Sequence, residues 1–115
     1  MNTEKSDTSF DYIATPDALL VLLDAMKAVE TIAIDTEADS FHHFHHKVCL
    51  IQLAVGSRCF IVDPLAEVDF SDVLAILAQK QLIFHDAGYD LRMMRADFGF
   101  RPQIEIFDTM LAARL

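Results

Sequence analysis

The fold is decided by the stretch Thr31-Ile32-Ala33-Ile34-Asp35-Thr36-Glu37-Ala38-Asp39, in which an apolar, strand-forming run ends abruptly at two carboxylates. The three consecutive apolar residues before Asp35 are typical of a strand that is covered on both faces. Side chains alternate between faces along a strand, so Asp35 and Glu37 are predicted to project to the same side. Two carboxylates at one buried strand end repel each other, so one of them binds a proton or the pair holds a divalent cation.

Length and composition predict one globular domain over residues 1–115. The chain is 53% apolar and 23% charged, which is enough for a core, and its 115 residues are too few for two domains. No apolar run approaches the ~18 residues that span a bilayer, and the polar N-terminus lacks the apolar core of a signal peptide. We therefore expect a soluble, cytoplasmic protein in which Cys49 and Cys59 are reduced core residues.

The apolar pattern alternates strands with helices along the chain. Thr15 as a cap and Pro16 in the first turn indicate a helix start, and Gly99 indicates a helix end. The turn signal Gly56-Ser57 joins two strands into an antiparallel hairpin. The predicted strands cover residues 10–14, 31–35, 48–55, 58–62, 82–85 and 104–107, and the predicted helices cover 16–29, 70–79, 87–98 and a segment from 110.

This order of elements predicts an α/β fold with a mixed sheet, in which a three-strand antiparallel meander precedes alternating helices and parallel strands. Ser71 is the predicted cap of the second helix. The last helix, which Asp108 would cap, has barely two turns before Leu115 and no closing glycine. The domain is therefore expected to be cut short at its C-terminus. Along the third helix, one buried stripe is expected from Ala87, Leu91, Met94 and Phe98.

Four side chains are candidates for chemistry. Asp35 and Glu37 follow a central strand, and ligands bind at the carboxyl ends of strands in open α/β sheets; the alternative is a loop of solvated acids. Asp90 lies about 100° from the apolar stripe of its helix, beside the core face. The alternative role for its carboxylate is that of a solvated helix acid or a partner in an ion pair. His85 ends its strand, where it could point toward the same edge, but a hydrogen-bonded core histidine is the commoner role for a lone histidine. Asp63 is predicted to be a turn residue outside the site.

The run His42-His43-Phe44-His45-His46 concentrates four imidazoles in five residues. Imidazoles bind zinc or nickel, but consecutive loop histidines without a partner cysteine lack the fixed geometry of a structural site. We therefore favour a solvated loop near the active edge that contacts phosphate or base.

Four segments of the chain, in the same order and spacing, resemble the ribonuclease D-like branch of the DEDD 3′–5′ exonucleases. The resemblance runs from about Tyr12 to the C-terminus. The segments are Ile34-Asp35-Thr36-Glu37, Cys49-Leu50-Ile51-Gln52-Leu53, Phe84-His85-Asp86-Ala87-Gly88-Tyr89-Asp90-Leu91-Arg92 and Phe107-Asp108-Thr109-Met110-Leu111-Ala112-Ala113.

The resemblance implies a ribonuclease H-like fold and hydrolysis of the terminal phosphodiester with two Mg²⁺ or Mn²⁺ ions. It implies that Asp35 bridges both metals and that Glu37 binds one of them near the 3′ end. Asp90 would support the second metal, largely through water, and His85 would help to shape the site. The implied substrate is a single-stranded 3′ end, of RNA rather than DNA.

The resemblance stops short of the family's third motif, a Tyr or His followed four residues later by an Asp, which does not occur in this sequence. Two-metal hydrolysis needs a full set of carboxylates, so the chain alone is expected to bind metal weakly and to catalyse poorly. The absent helices would also leave apolar sheet surface open to self-association.

Two alternatives compete with the nuclease interpretation. The net charge of −9 is unlike the basic footprint of a nucleic-acid binder, although bound metal ions would supply positive charge. The first alternative is therefore a non-catalytic module of the same fold that binds nucleic acid or a protein. The second is a phosphatase with Asp35 as nucleophile, which would need a lysine at a strand end, whereas Lys80 is predicted at a helix end.

Overall fold

The computed structural model describes residues 10–39 and 47–109, which form six strands and three helices in the predicted order. The elements are β1 (Phe10–Ile13), α1 (Pro16–Lys27), β2 (Thr31–Asp39), β3 (Lys47–Val55), β4 (Arg58–Val62), α2 (Ser71–Ala78), β5 (Gln81–Phe84), α3 (Ala87–Phe98) and β6 (Phe107–Asp108). None of these three helices is long and apolar enough to cross a membrane.

Local sequence explains where α1 and the β3–β4 hairpin form. The Thr15 hydroxyl accepts a hydrogen bond from the Ala18 N–H at 3.1 Å, and Pro16 occupies the first position of α1. Gly56 has a left-handed φ of 62° in the turn after β3, a conformation that glycine adopts without steric cost. The helix start and the hairpin are therefore confirmed at the predicted residues.

Strand β2 lies inside a six-stranded sheet with the order β1-β4-β3-β2-β5-β6. The antiparallel meander is formed by β2, β3 and β4, whereas β1 pairs parallel with β4, β5 with β2 and β6 with β5. The predicted mixed sheet is therefore confirmed, with β1 at one edge. Because β2 and β5 run parallel, their carboxyl ends meet at one edge, where Asp35 follows the buried run and α3 begins.

All three helices bury their apolar sides against one face of the sheet. The strand residues of this core alternate along each strand, so they project to the same face. Ala33 projects to the opposite face and is half-buried, so coverage of β2 on both faces is not reached within residues 10–39 and 47–109. The core side chains include Leu22, Met26, Val73, Leu77 and Met94 from the helices and Ile32, Ile34, Leu53, Phe60, Val62, Leu82 and Phe84 from the strands.

The start of α2 differs from the prediction. Ser71 is the first helical residue instead of the cap, and the residue before it, Phe70, makes no side-chain capping bond. The Asp69 carboxylate accepts hydrogen bonds from the Ser71 N–H at 2.9 Å and from its hydroxyl at 2.7 Å. The predicted cap is wrong because Asp69 provides a stronger, charged acceptor two residues upstream.

Two further details of the C-terminal half also differ. Strand β6 has only Phe107 and Asp108, because the preceding segment turns away and the Gln103 N–H bonds to the Ala78 carbonyl at 2.8 Å. On α3, Asp90 and Met93 are buried together with Ala87 and Met94, whereas Leu91 and Phe98 are only half-buried. The buried side of α3 is therefore rotated toward Asp90.

Candidate active site

Strand β2 continues past its buried run and carries the two predicted carboxylates. Asp35 and Glu37 are exposed, whereas Thr36 between them is 8% exposed, so the two carboxylates share one face of the strand. The pairing of β2 with β3 shifts register between Glu37 and Ala38. Such a bulge bends a strand and re-aims its side chains, which sets the end of β2 apart from a regular sheet edge.

Asp90 reaches β2 from the first turn of α3. It is 3% exposed, and its Oδ1 accepts a 2.6 Å hydrogen bond from the Thr36 hydroxyl. The helix start holds two further acids, since Asp86 Oδ1 accepts from the Tyr89 N–H at 3.3 Å and Asp108 Oδ2 accepts from the Ala87 N–H at 3.2 Å. Asp108 thus contacts the start of α3, whereas the helix from Met110 that it was predicted to cap lies outside the described residues.

The surroundings of Asp90 raise its pKa above the ordinary value. Burial is the largest cause, because it disfavours the charged form. The negative charges of Asp35, Asp86 and Asp108 act in the same direction, and the hydrogen bond from Thr36 opposes them. Ionised Asp90 is therefore costly to the fold, and a cation placed nearby would offset that cost.

His85 follows β5 directly and is exposed, so its alternative assignment as a core histidine is wrong. Its Nδ1 lies 3.0 Å from the Thr109 hydroxyl oxygen, and that hydroxyl donates to the Phe84 carbonyl at 3.2 Å. A hydroxyl has one proton to donate, so Nδ1 is the donor to Thr109. In the neutral ring, Nε2 is then left as an acceptor.

A groove of about 240 Å³ lies on the face of the sheet to which Asp35 projects. Ala33 and Ala54, which are paired across β2 and β3, leave room for it because their side chains are small. Asp35 and His85 both line it, so the groove adjoins two of the four predicted site residues. Its other lining side chains include Gln52, Cys59 and Ile83.

The four predicted residues meet at one edge of the sheet but do not form one cluster. Asp90 bonds to Thr36, on the side of β2 opposite to Asp35 and Glu37. Among residues 10–39 and 47–109, no group of three or more His, Cys, Asp or Glu side chains could hold a metal ion. The oxygen donors suit Mg²⁺ and Mn²⁺ in chemistry, so Asp35 and Glu37 are the residues that would hold such ions, and Asp90 would support them from α3.

Other candidate residues lie outside this site. The Lys80 ammonium donates to the Val29 carbonyl at 2.6 Å near the end of α1, so it is not the strand-end lysine that a phosphatase would need. Asp63 is a turn residue, as predicted, with Oδ1 accepting from the Leu65 N–H at 2.8 Å. Cys59 is a half-buried free thiol. The His42–His46 run and the side chain of Cys49 fall outside the described residues.

The structure adds Thr36 to the predicted set. The sequence contains a signal for it, because strand alternation directs Thr36 to the core face when Asp35 and Glu37 face solvent. A buried hydroxyl needs a hydrogen-bond partner, so a polar residue on the core face of a central strand indicates a second polar group opposite it. Nothing local identifies that group as Asp90, which lies 54 residues away.

Comparison with known proteins gives one family for this chain. Residues 10–115 match the model of the 3′–5′ exonuclease family. Ribonuclease D of Escherichia coli (strain K12) is 35% identical over 107 residues, which cover 91% of this chain and 28% of that protein. Human exosome complex component 10 is 30% identical over 112 residues, which cover 95% of this chain and 12% of that protein.

The crystal structure of Escherichia coli RNase D, an exoribonuclease involved in structured RNA processing, matches with a TM-score of 0.79 at 34% identity. The match covers 91% of this chain and 28% of that chain. The chain therefore spans less than a third of these relatives, and the shared part contains Asp35, Glu37, His85 and Asp90.

Proposed function

Because the chain belongs to the 3′–5′ exonuclease family, in its ribonuclease D-like branch, we propose that it contributes to the removal of nucleotides from the 3′ end of RNA. Its sheet has the ribonuclease H-like arrangement. The proposal is carried by one observation, the pair of exposed carboxylates of Asp35 and Glu37 at the end of β2, beside the buried Asp90. RNA is the proposed substrate because the Escherichia coli relative is an exoribonuclease.

Asp35 and Glu37 are the residues proposed to hold two divalent ions, Mg²⁺ or Mn²⁺, and Asp90 would support this site with its negative charge. When bound, the ions neutralise charge on the terminal phosphodiester and make water a better nucleophile. Exposed carboxylate oxygens meet the preference of these ions for hard ligands. The burial of Asp90 near Asp35, Asp86 and Asp108 supports the assignment, because a cation would relieve this excess of negative charge.

His85 and the groove beside Asp35 are proposed to orient the RNA end. The bond from Nδ1 to Thr109 holds the ring at the carboxyl end of β5, with Nε2 available to accept a hydrogen bond from a ribose hydroxyl or from water. The groove of about 240 Å³ has an apolar floor that suits the face of a base or sugar. Together they would place the last nucleotide against Asp35.

The described carboxylates are also proposed to be insufficient by themselves. The third motif of the family supplies one more Asp, and no Tyr or His followed four residues later by Asp occurs in these 115 residues. We therefore expect weak Mn²⁺ binding and slow nucleotide release from this chain alone, since two-metal hydrolysis needs the complete set of carboxylates.

The test compares the chain with its Asp35→Asn and Glu37→Gln variants in two measurements. Calorimetric titration with Mn²⁺ should give binding that each substitution weakens by about 10-fold or more, because a charged ligand is lost. Release of nucleotides from 3′-labelled RNA with Mg²⁺ should appear when a segment carrying the third motif is added after Leu115, and Asp35→Asn should abolish it.

Asp24→Asn is the matched control, because Asp24 is an exposed carboxylate on α1, away from the end of β2. It should leave Mn²⁺ binding unchanged. RNA hydrolysis that survives Asp35→Asn would contradict the proposal. Nucleic-acid binding without Mn²⁺ binding would instead favour a non-catalytic module of the same fold.

A further inference from the structure

The contact between Thr36 and Asp90 joins two elements of the site that are far apart in sequence. The Thr36 hydroxyl donates to Asp90 Oδ1 at 2.6 Å, across 54 residues of chain. Both residues are buried, at 8% and 3% exposure, so the bond is largely shielded from water. Hydrogen bonds from a hydroxyl to a carboxylate at this distance are among the stronger ones in proteins.

The two oxygens of Asp90 have different surroundings. Oδ1 is held by Thr36, whereas Oδ2 accepts no hydrogen bond from residues 10–39 and 47–109. In the same part of the chain, no fully buried side-chain oxygen or nitrogen lacks a hydrogen-bond partner. Within these residues, the side chain of Asp90 is therefore held through Oδ1 alone.

The position of Thr36 on β2 connects this hydrogen bond to the geometry of the proposed site. Thr36 lies between the two exposed carboxylates on β2, and a β-branched side chain in a strand has few χ1 rotamers. Its hydroxyl is therefore fixed relative to Asp35 and Glu37. By holding Asp90, it also fixes the first turn of α3 relative to the same two residues.

We propose that Thr36 is a positioning residue that holds Oδ1 of Asp90 and so fixes the Asp90 carboxylate relative to Asp35 and Glu37, the residues that would hold the cations. This inference rests on the proposed function, because it assumes that those carboxylates bind divalent ions. Thr36 itself contacts neither cation nor RNA in this role. It acts as a partner of a metal-supporting carboxylate, and such partners are worth 10- to 100-fold in metal affinity in other proteins.

The test is a Mn²⁺ titration of four variants of the full chain, followed by calorimetry. Thr36→Val keeps the shape of the side chain and removes the hydroxyl, so the Mn²⁺ dissociation constant should rise about 10-fold. Thr36→Ser keeps the hydroxyl and should restore most of the affinity. Asp90→Asn should weaken binding, and the double variant Thr36→Val/Asp90→Asn should bind no more weakly than Asp90→Asn alone.

Thermal unfolding of each variant, followed by circular dichroism, separates positioning from loss of fold. Thr36→Ala serves as a second variant if Thr36→Val does not fold, because the smaller side chain leaves room for a water molecule at Oδ1. If folded Thr36→Val or Thr36→Ala binds Mn²⁺ as tightly as the unmodified chain does, this inference is overturned and the proposed metal site is not. Additive losses in the double variant would also overturn it. An unmodified chain without Mn²⁺ affinity would overturn both this inference and the proposed metal site.

Discussion

At the scale of the residue, the negative charge of Asp90 suits the proposed site but destabilises the fold. A carboxylate that is 3% exposed loses hydration, and three neighbouring acids repel its charge. The hydrogen bond from Thr36 recovers part of this cost. A residue chosen for stability alone would be neutral at this position, so an acid here agrees with the proposed role of Asp90 beside a cation.

Asp90→Asn tests whether the charge of Asp90 destabilises the fold, through the pH dependence of stability. The folded protein binds the proton of Asp90 more tightly than the unfolded chain does, because the folded pKa is raised. Stability contributed by this group is present below the ordinary Asp pKa of about 3.9 and is lost as pH rises through the raised pKa. Asn keeps an oxygen that accepts from Thr36 but carries no charge.

The variant should therefore gain stability over the unmodified chain as pH rises from 4 to 8. Urea unfolding in EDTA at a series of pH values measures this difference. Asp24→Asn controls for the change in net charge, since Asp24 is exposed and outside the site. A stability difference that stays constant with pH, or that falls as pH rises, would contradict the assignment of the raised pKa to Asp90.

At the scale of the element, α3 is delimited by capping interactions from two sides. Asp86 caps its start within the same segment, and Asp108 reaches the same helix end from β6. Acids at this end also interact favourably with the helix dipole. At the other end, Gly99 has a φ of 67° and its N–H bonds to the Arg95 carbonyl at 2.8 Å. These contacts set the position of Asp90 in the first turn.

Gly99→Ala and Gly88→Ala form a matched pair on this helix. At Gly99 the added Cβ meets no atom within 4 Å, so the cost comes from the left-handed backbone alone and should be about 1–2 kcal/mol of unfolding free energy. At Gly88, which is inside the helix, alanine should instead stabilise by up to about 1 kcal/mol. Urea unfolding of both variants measures the two values, and equal signs would contradict the cap assignment.

At the scale of the molecule, the face of the sheet opposite the three described helices carries one continuous apolar row. The register pairs its six members from strand to strand, so all project to the same face. The end residues Phe10 and Phe107 are 47% and 49% exposed. In order across the sheet, the row is Phe10, Cys59, Ala54, Ala33, Ile83 and Phe107.

An apolar row of this kind predicts self-association of the chain through this face. In sedimentation velocity, the weight-average sedimentation coefficient should rise with protein concentration. Phe10→Lys and Phe107→Lys should shift it toward that of the monomer, because they place charge at both ends of the row. Leu65→Lys, at a residue that is 74% exposed outside the sheet, is the matched control. A concentration-independent coefficient for the unmodified chain would refute the prediction.

Local patterns in the sequence were sufficient to predict most elements of the fold. The Thr15-Pro16 start of α1, the Gly56-Ser57 turn and the Gly99 end of α3 depend on backbone preferences within a few residues, so no distant contact is needed to recognise them. The alternation along β2 likewise predicts that Asp35 and Glu37 share a face. The roles of these two carboxylates as metal ligands stay a prediction.

Distant contacts decided the rest. The core position of Asp90, the short β6 and the capping of α3 by Asp108 each depend on a partner more than 20 residues away or on a neighbouring strand. The amino-acid order therefore determined which segments become strands and helices, because those preferences act over one or two turns. Only the packed chain decided which polar group faces Thr36, because burial creates a requirement for a partner and the topology selects which side chain meets it.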